Sequence, residues 1–176
     1  MNSIGKDFVK PILVLTLICL FISAALAFTN QKTAPIIAAA EKAAAEAARQ
    51  EVLPEADSFT LMELSGLPST VTEVYKADNG AGFVFMLTAK GYGGDMKLIC
   101  GIDTDGNITD CNTLSQSETK GLGTKTTLPE FRQQFAGKDS SLSGVETISG
   151  ATISSKAYIG AIKDAFTAYE TAKEAA

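Results

Sequence analysis

The chain begins with a long apolar run that no charged residue interrupts. Residues 11–28, PILVLTLICLFISAALAF, are 18 uncharged positions, at the lower limit of what crosses a bilayer as a helix. Lys6 and Lys10 precede the run, and flanking positive charge marks the cytoplasmic side. The pattern predicts a cytoplasmic segment at residues 1–10, a transmembrane helix at residues 11–28 and export of everything that follows.

A cleaved signal peptide is the alternative interpretation of the same run. A basic start, an apolar centre and a small-residue cleavage site such as Ala25-Leu26-Ala27 are its usual features. Both interpretations place residue 29 onward outside the cytoplasm. The pattern therefore predicts the compartment and leaves cleavage open.

The next stretch is rich in alanine, glutamate and lysine. Alanine is the strongest helix former, and Glu41, Glu46 and their charged neighbours supply a polar face. Pro54 then marks the end of the helical pattern. We predict a semi-rigid helical spacer within residues 29–57.

Beyond the spacer the apolar positions follow the period of β-strands. Thr70–Ala77 and Gly82–Lys90 are predicted strands separated by turn residues. Asp95–Ser115 is a predicted hairpin with the two-residue turn Asp105-Gly106. That register places Cys100 opposite Cys111, where a disulfide and two free thiols both remain possible.

The last part of the chain passes from a hydroxyl-rich loop, SGATISS at residues 149–155, into an amphipathic helix. Apolar residues recur at helical spacing and predict one face packed on a sheet. These are Ile153, Ala157, Ile159, Ala161, Ile162, Ala165, Phe166 and Tyr169. Strands followed by helices predict an α+β domain over residues 58–176, with a mainly antiparallel sheet and packed helices.

The amino-acid composition argues against several classes of binding site and catalytic site. The net charge is −5 and the chain has no histidine, so it lacks both a basic surface for nucleic acid and the commonest general base and metal ligand. No two cysteines form a C-x-x-C pair. We therefore predict no nucleic-acid partner, no metal site and no catalytic residue of its own.

Three glycine-containing segments are candidate binding elements. In KGYGG, residues 90–94, glycines allow close approach to a flat ligand and Tyr92 could stack, although a tight turn explains the pattern equally. ETKGLGTK, residues 118–125, could offer backbone N–H groups and lysines to an anion. The glycine spacing there is not that of a Walker loop.

The third segment is SGAT, residues 149–152, directly before the terminal helix. A helix N-terminus binds phosphate through free N–H groups and its positive dipole end. Ser149 or Thr152 could instead serve only as an N-cap. Gly150 and Ala151 leave open space that a cap does not need, so a phosphate site and a plain cap are both open.

In this order the segments resemble the FMN-binding domain found in the G subunit of Rnf-type ion-translocating electron transport complexes. The resemblance extends over nearly the whole chain, from the N-terminal apolar helix through Arg49 and VLP at residues 52–54 to GYGG and the hairpin. It includes ETKGLG, where the family usually has ETPGLG, and SGAT before a helix.

The resemblance implies a covalently bound cofactor. In the family the last threonine of SGAT carries FMN through a phosphoester that an exported flavin transferase forms, and Thr152 is the matching position. The other expected FMN contacts come from the same three segments. They are Ser149, Gly150, Ala151, Glu118, Thr119, Leu122, Gly123 and Tyr92.

The resemblance also implies a function. We expect an electron-transfer subunit of an ion-translocating ferredoxin:NAD oxidoreductase in the cell membrane, with the other members of that complex as partners. Its FMN domain would be extracytoplasmic, and the coupling ion stays open. Alternatives are the C subunit of a sodium-translocating NADH:quinone reductase, a freestanding flavinylated extracellular electron carrier, or an anchored binding module without a cofactor.

Overall fold

The computed structural model of the protein describes the backbone of residues 3–176 and the side chains of residues 9–176. The predicted cytoplasmic segment, residues 1–10, therefore lies mostly outside the described side chains. The chain forms two compact units, Met1–Ala43 and Ala44–Ala176.

Helix α1 is one continuous element, Ser3–Val52. It combines the predicted apolar helix and the predicted spacer helix without a break, although Pro11 and Pro35 lie within it. Its described part from Val9 contains a window with a mean hydropathy of 2.7 and is long and apolar enough to cross a membrane. Leucine, isoleucine and phenylalanine side chains are exposed along the apolar segment, as a lipid-facing helix requires.

The second unit is built on an antiparallel sheet of five strands in sequence order. The strands are β1 (Phe59–Met62), β2 (Val71–Ala77), β3 (Gly82–Lys90), β4 (Asp95–Asp103) and β5 (Ile108–Ser115). Three helical segments accompany them: a 3₁₀ turn at Gly123–Thr127, α2 (Pro129–Arg132) and the terminal helix α3 (Thr152–Ala175). The predicted α+β fold is confirmed, with β1 as an additional short edge strand.

Both faces of the sheet are buried. Leu98 and Cys100 of β4 belong to the core beneath α3. Ile99 between them belongs to a second core, which includes Val52 at the end of α1 and the next residue, Leu53. Neighbouring residues of a strand point to opposite faces, so a strand covered on both sides is apolar throughout. This accounts for the near-continuous apolar sequence of β3 and β4.

The predicted two-residue turn at Asp105-Gly106 is wrong. The Asp103 N–H donates to the carbonyl oxygen of Asn107 at 2.9 Å, so residues 104–106 form a three-residue loop. Gly106 has φ +85°, the left-handed conformation with which such loops end. The sequence Asp-Gly is compatible with both loops, and the pattern alone did not separate them.

A β-bulge restores the predicted register further along the hairpin. Ile102 pairs with Ile108, but Gly101 pairs with Asp110, which leaves Thr109 as the extra residue. The bulge compensates for the longer loop, and Cys100 lies opposite Cys111 as predicted.

The two cysteines of this hairpin are free thiols and are completely buried. Burial raises the pKa of the Cys100 thiol well above its ordinary value and raises the pKa of Cys111 to about 12. Because the thiolate is the nucleophilic form, neither side chain is reactive at neutral pH.

Helix α3 uses most, but not all, of its predicted buried face. Ala161, Ile162 and Ala165 are buried against the sheet. Ile153 was predicted on the same face and is 57% exposed. The prediction was wrong there because Ile153 is out of phase with the buried face: at about 100° per residue it lies roughly 180° around the helix from Ile162, whereas Ser154 and Ser155 of the same turn are buried.

This difference gives a matched pair of substitutions on one helix. Ile162→Ala should lower the free energy of unfolding by about 2–5 kcal/mol, because it leaves a cavity in the core. Ile153→Ala should change it by less than about 0.5 kcal/mol. Urea denaturation of the full-length protein in detergent measures both; equal effects would contradict the assigned burial.

Candidate functional site

A cleft of about 380 Å³ lies at one end of the sheet. The connection from β3 to β4 and the exit from β5 meet at this end, since Lys97 near the start of β4 pairs with Ser115 at the end of β5. The start of α3 closes the third side. The cleft is lined by Tyr92, Glu118, Thr119, Leu122, Gly123, Gly150, Ala151, Thr152, Ile153 and Ser154.

The three glycine-containing segments of the sequence therefore form one site. Eight of the nine predicted contact positions line the cleft. Ser149 does not, and lies exposed just before it. Ile153 and Ser154 also line the cleft; neither is a predicted contact, and Ile153 is predicted on the core face.

The start of α3 has no side-chain cap. Ala151 occupies the N-cap position with φ −131°, and no side chain hydrogen-bonds there, so neither Ser149 nor Thr152 caps the helix. Gly150 precedes it with φ +81°, a conformation that favours glycine. The first N–H groups of a helix have no acceptor within the helix, and here they face a cleft.

The side chains of the next two serines, Ser154 and Ser155, form hydrogen bonds within the protein. Ser155 is buried; its Oγ donates to the Ala151 carbonyl at 2.9 Å and accepts from the Ile148 N–H at 3.1 Å. Ser154 is also buried, and its Oγ donates to the Glu118 carboxylate. Of the hydroxyls around the helix start, Thr152 is the exposed one that lines the cleft.

Glu118 joins the three segments around the cleft. Its carboxylate accepts the Ser154 hydroxyl at 2.5 Å and the Gly93 N–H at 3.0 Å, although only 8% of the residue is exposed. One side chain thus connects the β3–β4 turn, the loop after β5 and the first turn of α3.

Glycine is required at the points of closest approach. A Cβ on Gly93 would overlap the carbonyl oxygen of Ser117, and a Cβ on Gly123 would overlap the Glu118 carboxylate. The sequence pattern predicts close approach of a flat ligand to the KGYGG segment, and the structure shows that the protein's own chain occupies part of that space.

The rim of the cleft is apolar and open to solvent. Tyr92 is 70% exposed, Ile153 57% and Leu122 47%. Apolar walls with a few placed polar groups are typical of small-molecule sites, and the volume lies within the usual range of roughly 300–1,000 Å³. The arrangement suits a ligand with a flat apolar part and an anionic end near the helix start.

Gly93→Ala should lower the free energy of unfolding by about 1–3 kcal/mol, because the added methyl group meets backbone that cannot move away cheaply. Gly160→Ala, at a position of α3 with open space around it, is the control. It should stabilise the protein by up to about 1 kcal/mol. Thermal unfolding measures both, and a Gly93→Ala variant as stable as the wild type would refute the close packing of the β3–β4 turn.

The FMN-binding domain family matches residues 91–167. These bounds include every segment of the cleft, from the β3–β4 turn to the middle of α3. They exclude α1 and the first three strands.

Curated relatives match over most of the chain. The G subunit of an ion-translocating oxidoreductase complex of Methanosarcina acetivorans is 33% identical over 93% of this chain and 95% of the relative. The G subunit of a Na(+)-translocating ferredoxin:NAD(+) oxidoreductase complex of Acetobacterium woodii is 29% identical over 90% and 89%. Its counterpart in a proton-translocating ferredoxin:NAD(+) oxidoreductase complex of Clostridium ljungdahlii is 27% identical over 86% and 85%. With identity extending from the apolar helix to the cleft, the chain belongs to the G-subunit family of ion-translocating oxidoreductase complexes, and carries that family's FMN-binding domain.

Proposed function

We propose that the protein is the electron-transfer subunit of a membrane-bound, ion-translocating ferredoxin:NAD oxidoreductase and carries FMN covalently on Thr152. The observation that carries the proposal is the cleft itself. It combines an exposed threonine hydroxyl, an uncapped helix N-terminus and an apolar rim, and all of these lie within the residues that match the FMN-binding family.

The residues around the cleft fit the two ends of FMN. The start of α3 offers N–H groups and the positive end of the helix dipole, which stabilise a nearby phosphate. Gly150 and Ala151 add no bulk beside it. Tyr92, Leu122 and Ile153 offer exposed apolar surface that a flat ring system would cover.

The local hydrogen bonds favour Thr152 as the attachment residue. Ser154 and Ser155 donate their hydroxyl protons to groups inside the protein and are buried. Ser149 lies outside the cleft lining. Thr152 alone among these hydroxyls is both exposed and in the lining, so an exported flavin transferase would find its oxygen accessible.

Covalent attachment explains how a small redox cofactor is kept outside the cytoplasm. When bound, FMN supplies the electron-carrying chemistry, and the protein contributes its position and electrostatic surroundings. The start of α3 would hold the phosphate, and the exposed apolar side chains of the rim would contact the ring. We expect no independent catalytic activity, because the protein passes electrons between partners.

The apolar part of α1 serves as the membrane anchor in this proposal. Its 18 uncharged residues, at about 1.5 Å each, span roughly 27 Å, close to the hydrocarbon thickness of a bilayer. Lys6 and Lys10 place the N-terminus in the cytoplasm. The FMN domain then lies outside, where the flavin transferase acts and the other members of the complex present their exported faces.

Replacement of the proposed attachment residue tests the cofactor. Thr152→Ala should abolish the flavin fluorescence that denatured full-length protein shows in a gel after coexpression with a flavin transferase, because no phosphoester can form. Thr167→Ala, the same substitution at an exposed position of α3 outside the cleft lining, is the matched control and should keep the band. Fluorescence that survives Thr152→Ala would show that the flavin is attached elsewhere.

Membership of a complex is tested by purification of the tagged chain from native membranes in mild detergent. We expect integral membrane partners to copurify in constant ratio, since an anchored electron carrier needs fixed neighbours. Recovery of the chain alone would contradict its membership of a complex and favour a freestanding carrier. The relatives include subunits of both a proton-translocating and a Na(+)-translocating complex.

A further inference from the structure

The Glu118 carboxylate is a buried negative charge that faces the cleft. The residue is only 8% exposed, and it contributes to the lining. Within the described side chains, residues 9–176, the salt bridges join Arg132 to Glu51 and Asp110. None of these reaches Glu118, so no cation among the described side chains neutralises it by direct contact.

Its hydrogen bonds match the ionised form. The Gly93 N–H can only donate, and the Ser154 Oγ also donates to the carboxylate. An ionised carboxyl group is an acceptor at both oxygens, and each oxygen has one donor. Hydrogen bonds of this kind, with one charged partner, are the stronger ones.

Shape does not explain why a charge lies here. A glutamine has nearly the same size, and its amide oxygen could accept one of the two donors. Burying an ion without a counter-ion opposes folding, and a neutral residue would avoid that cost. A carboxylate accepts from both donors, and its negative charge also contributes to the electrostatic potential of the cleft.

We propose that Glu118 is a positioning residue that lowers the reduction potential of the flavin in this cleft and holds the three cleft segments together. The inference rests on the proposed function, since it concerns the same cofactor. Two-electron reduction with uptake of one proton would leave the bound ring with one net negative charge, and a fixed anion nearby would oppose it. Exclusion of water strengthens that opposition. Glu118 thus makes the reduced flavin a stronger reductant toward the next carrier.

Two substitutions separate charge from hydrogen bonding. Glu118→Gln removes the charge and keeps the side-chain size, whereas Ser154→Ala removes one donor and keeps the charge. The probe is the flavin attached to full-length protein in detergent, titrated spectroscopically against redox mediators. We expect Glu118→Gln to shift the oxidised-to-reduced equilibrium by about tenfold toward reduction, which is about +30 mV for a two-electron couple.

Ser154→Ala is the reference against which the shift in Glu118→Gln is judged. Ser154→Ala should shift the same equilibrium by less than about threefold, because the carboxylate stays in place. Equal potentials in the wild type and Glu118→Gln would overturn the electrostatic part. Equal shifts in Glu118→Gln and Ser154→Ala would also overturn it, since they would trace the effect to the hydrogen bond.

A second readout needs no flavin. In protein made without the transferase, Glu118→Ala should speed hydrogen exchange of the Gly93 amide by about tenfold, because its acceptor is lost. Glu118→Gln should preserve most of the protection. Unchanged exchange in Glu118→Ala would refute the connection between the segments.

The two proposals fail in different ways. Absence of a fluorescent band in the wild type rejects covalent FMN and, with it, the effect on the potential, while the exchange measurement still decides the connection. A fluorescent wild type whose potential is insensitive to Glu118→Gln rejects only the inference. Thermal unfolding of the flavin-loaded variants is the folding control. Melting temperatures equal to that of the wild type show that the compared proteins are folded.

Discussion

Burial of one sheet on both faces is the constraint on which the rest of the structure depends. Helix α3 covers one face, and Val52 at the end of α1 covers the other together with the next residue, Leu53. An antiparallel meander between two such layers brings the β3–β4 turn and the exit from β5 to the same end of the sheet. The start of α3 reaches that end, so the cleft follows from the way the core is closed.

Strands and helices with strong hydrophobic periodicity could be predicted from the sequence. The predictions were wrong where several local structures were compatible with the same residues. β3 matches its predicted bounds, Gly82–Lys90, because a long apolar run between turn residues has few alternatives. β1 is four residues with partly exposed ends, too short for alternation to be recognised. In the hairpin, the longer loop shifts the strand register by one residue and the bulge shifts it back. Local residue preferences do not predict such a pair of compensating changes.

The candidate site was predictable in its location but not in its internal connections. Glycines and hydroxyls marked the three segments, and the fold brings them together. The roles within the cluster depend on partners distant in sequence: Ser154 and Glu118 are 36 positions apart, and no local pattern predicts their contact. Ile153 lies roughly 80° around α3 from Ala161 and roughly 180° from Ile162, so strict helical periodicity excludes it from the buried face.

Helix α1 also determines where the folded domain can be separated from its anchor. The carbonyl oxygen of Val52 accepts the Thr109 hydroxyl, and Gly101 provides the space for that oxygen. The last turns of α1 are therefore part of the domain's interior. A soluble fragment for crystallisation or electrochemistry should retain residues from about Ala44 onward; cutting after Pro54 would expose Val84 and Ile99 and yield an aggregating product.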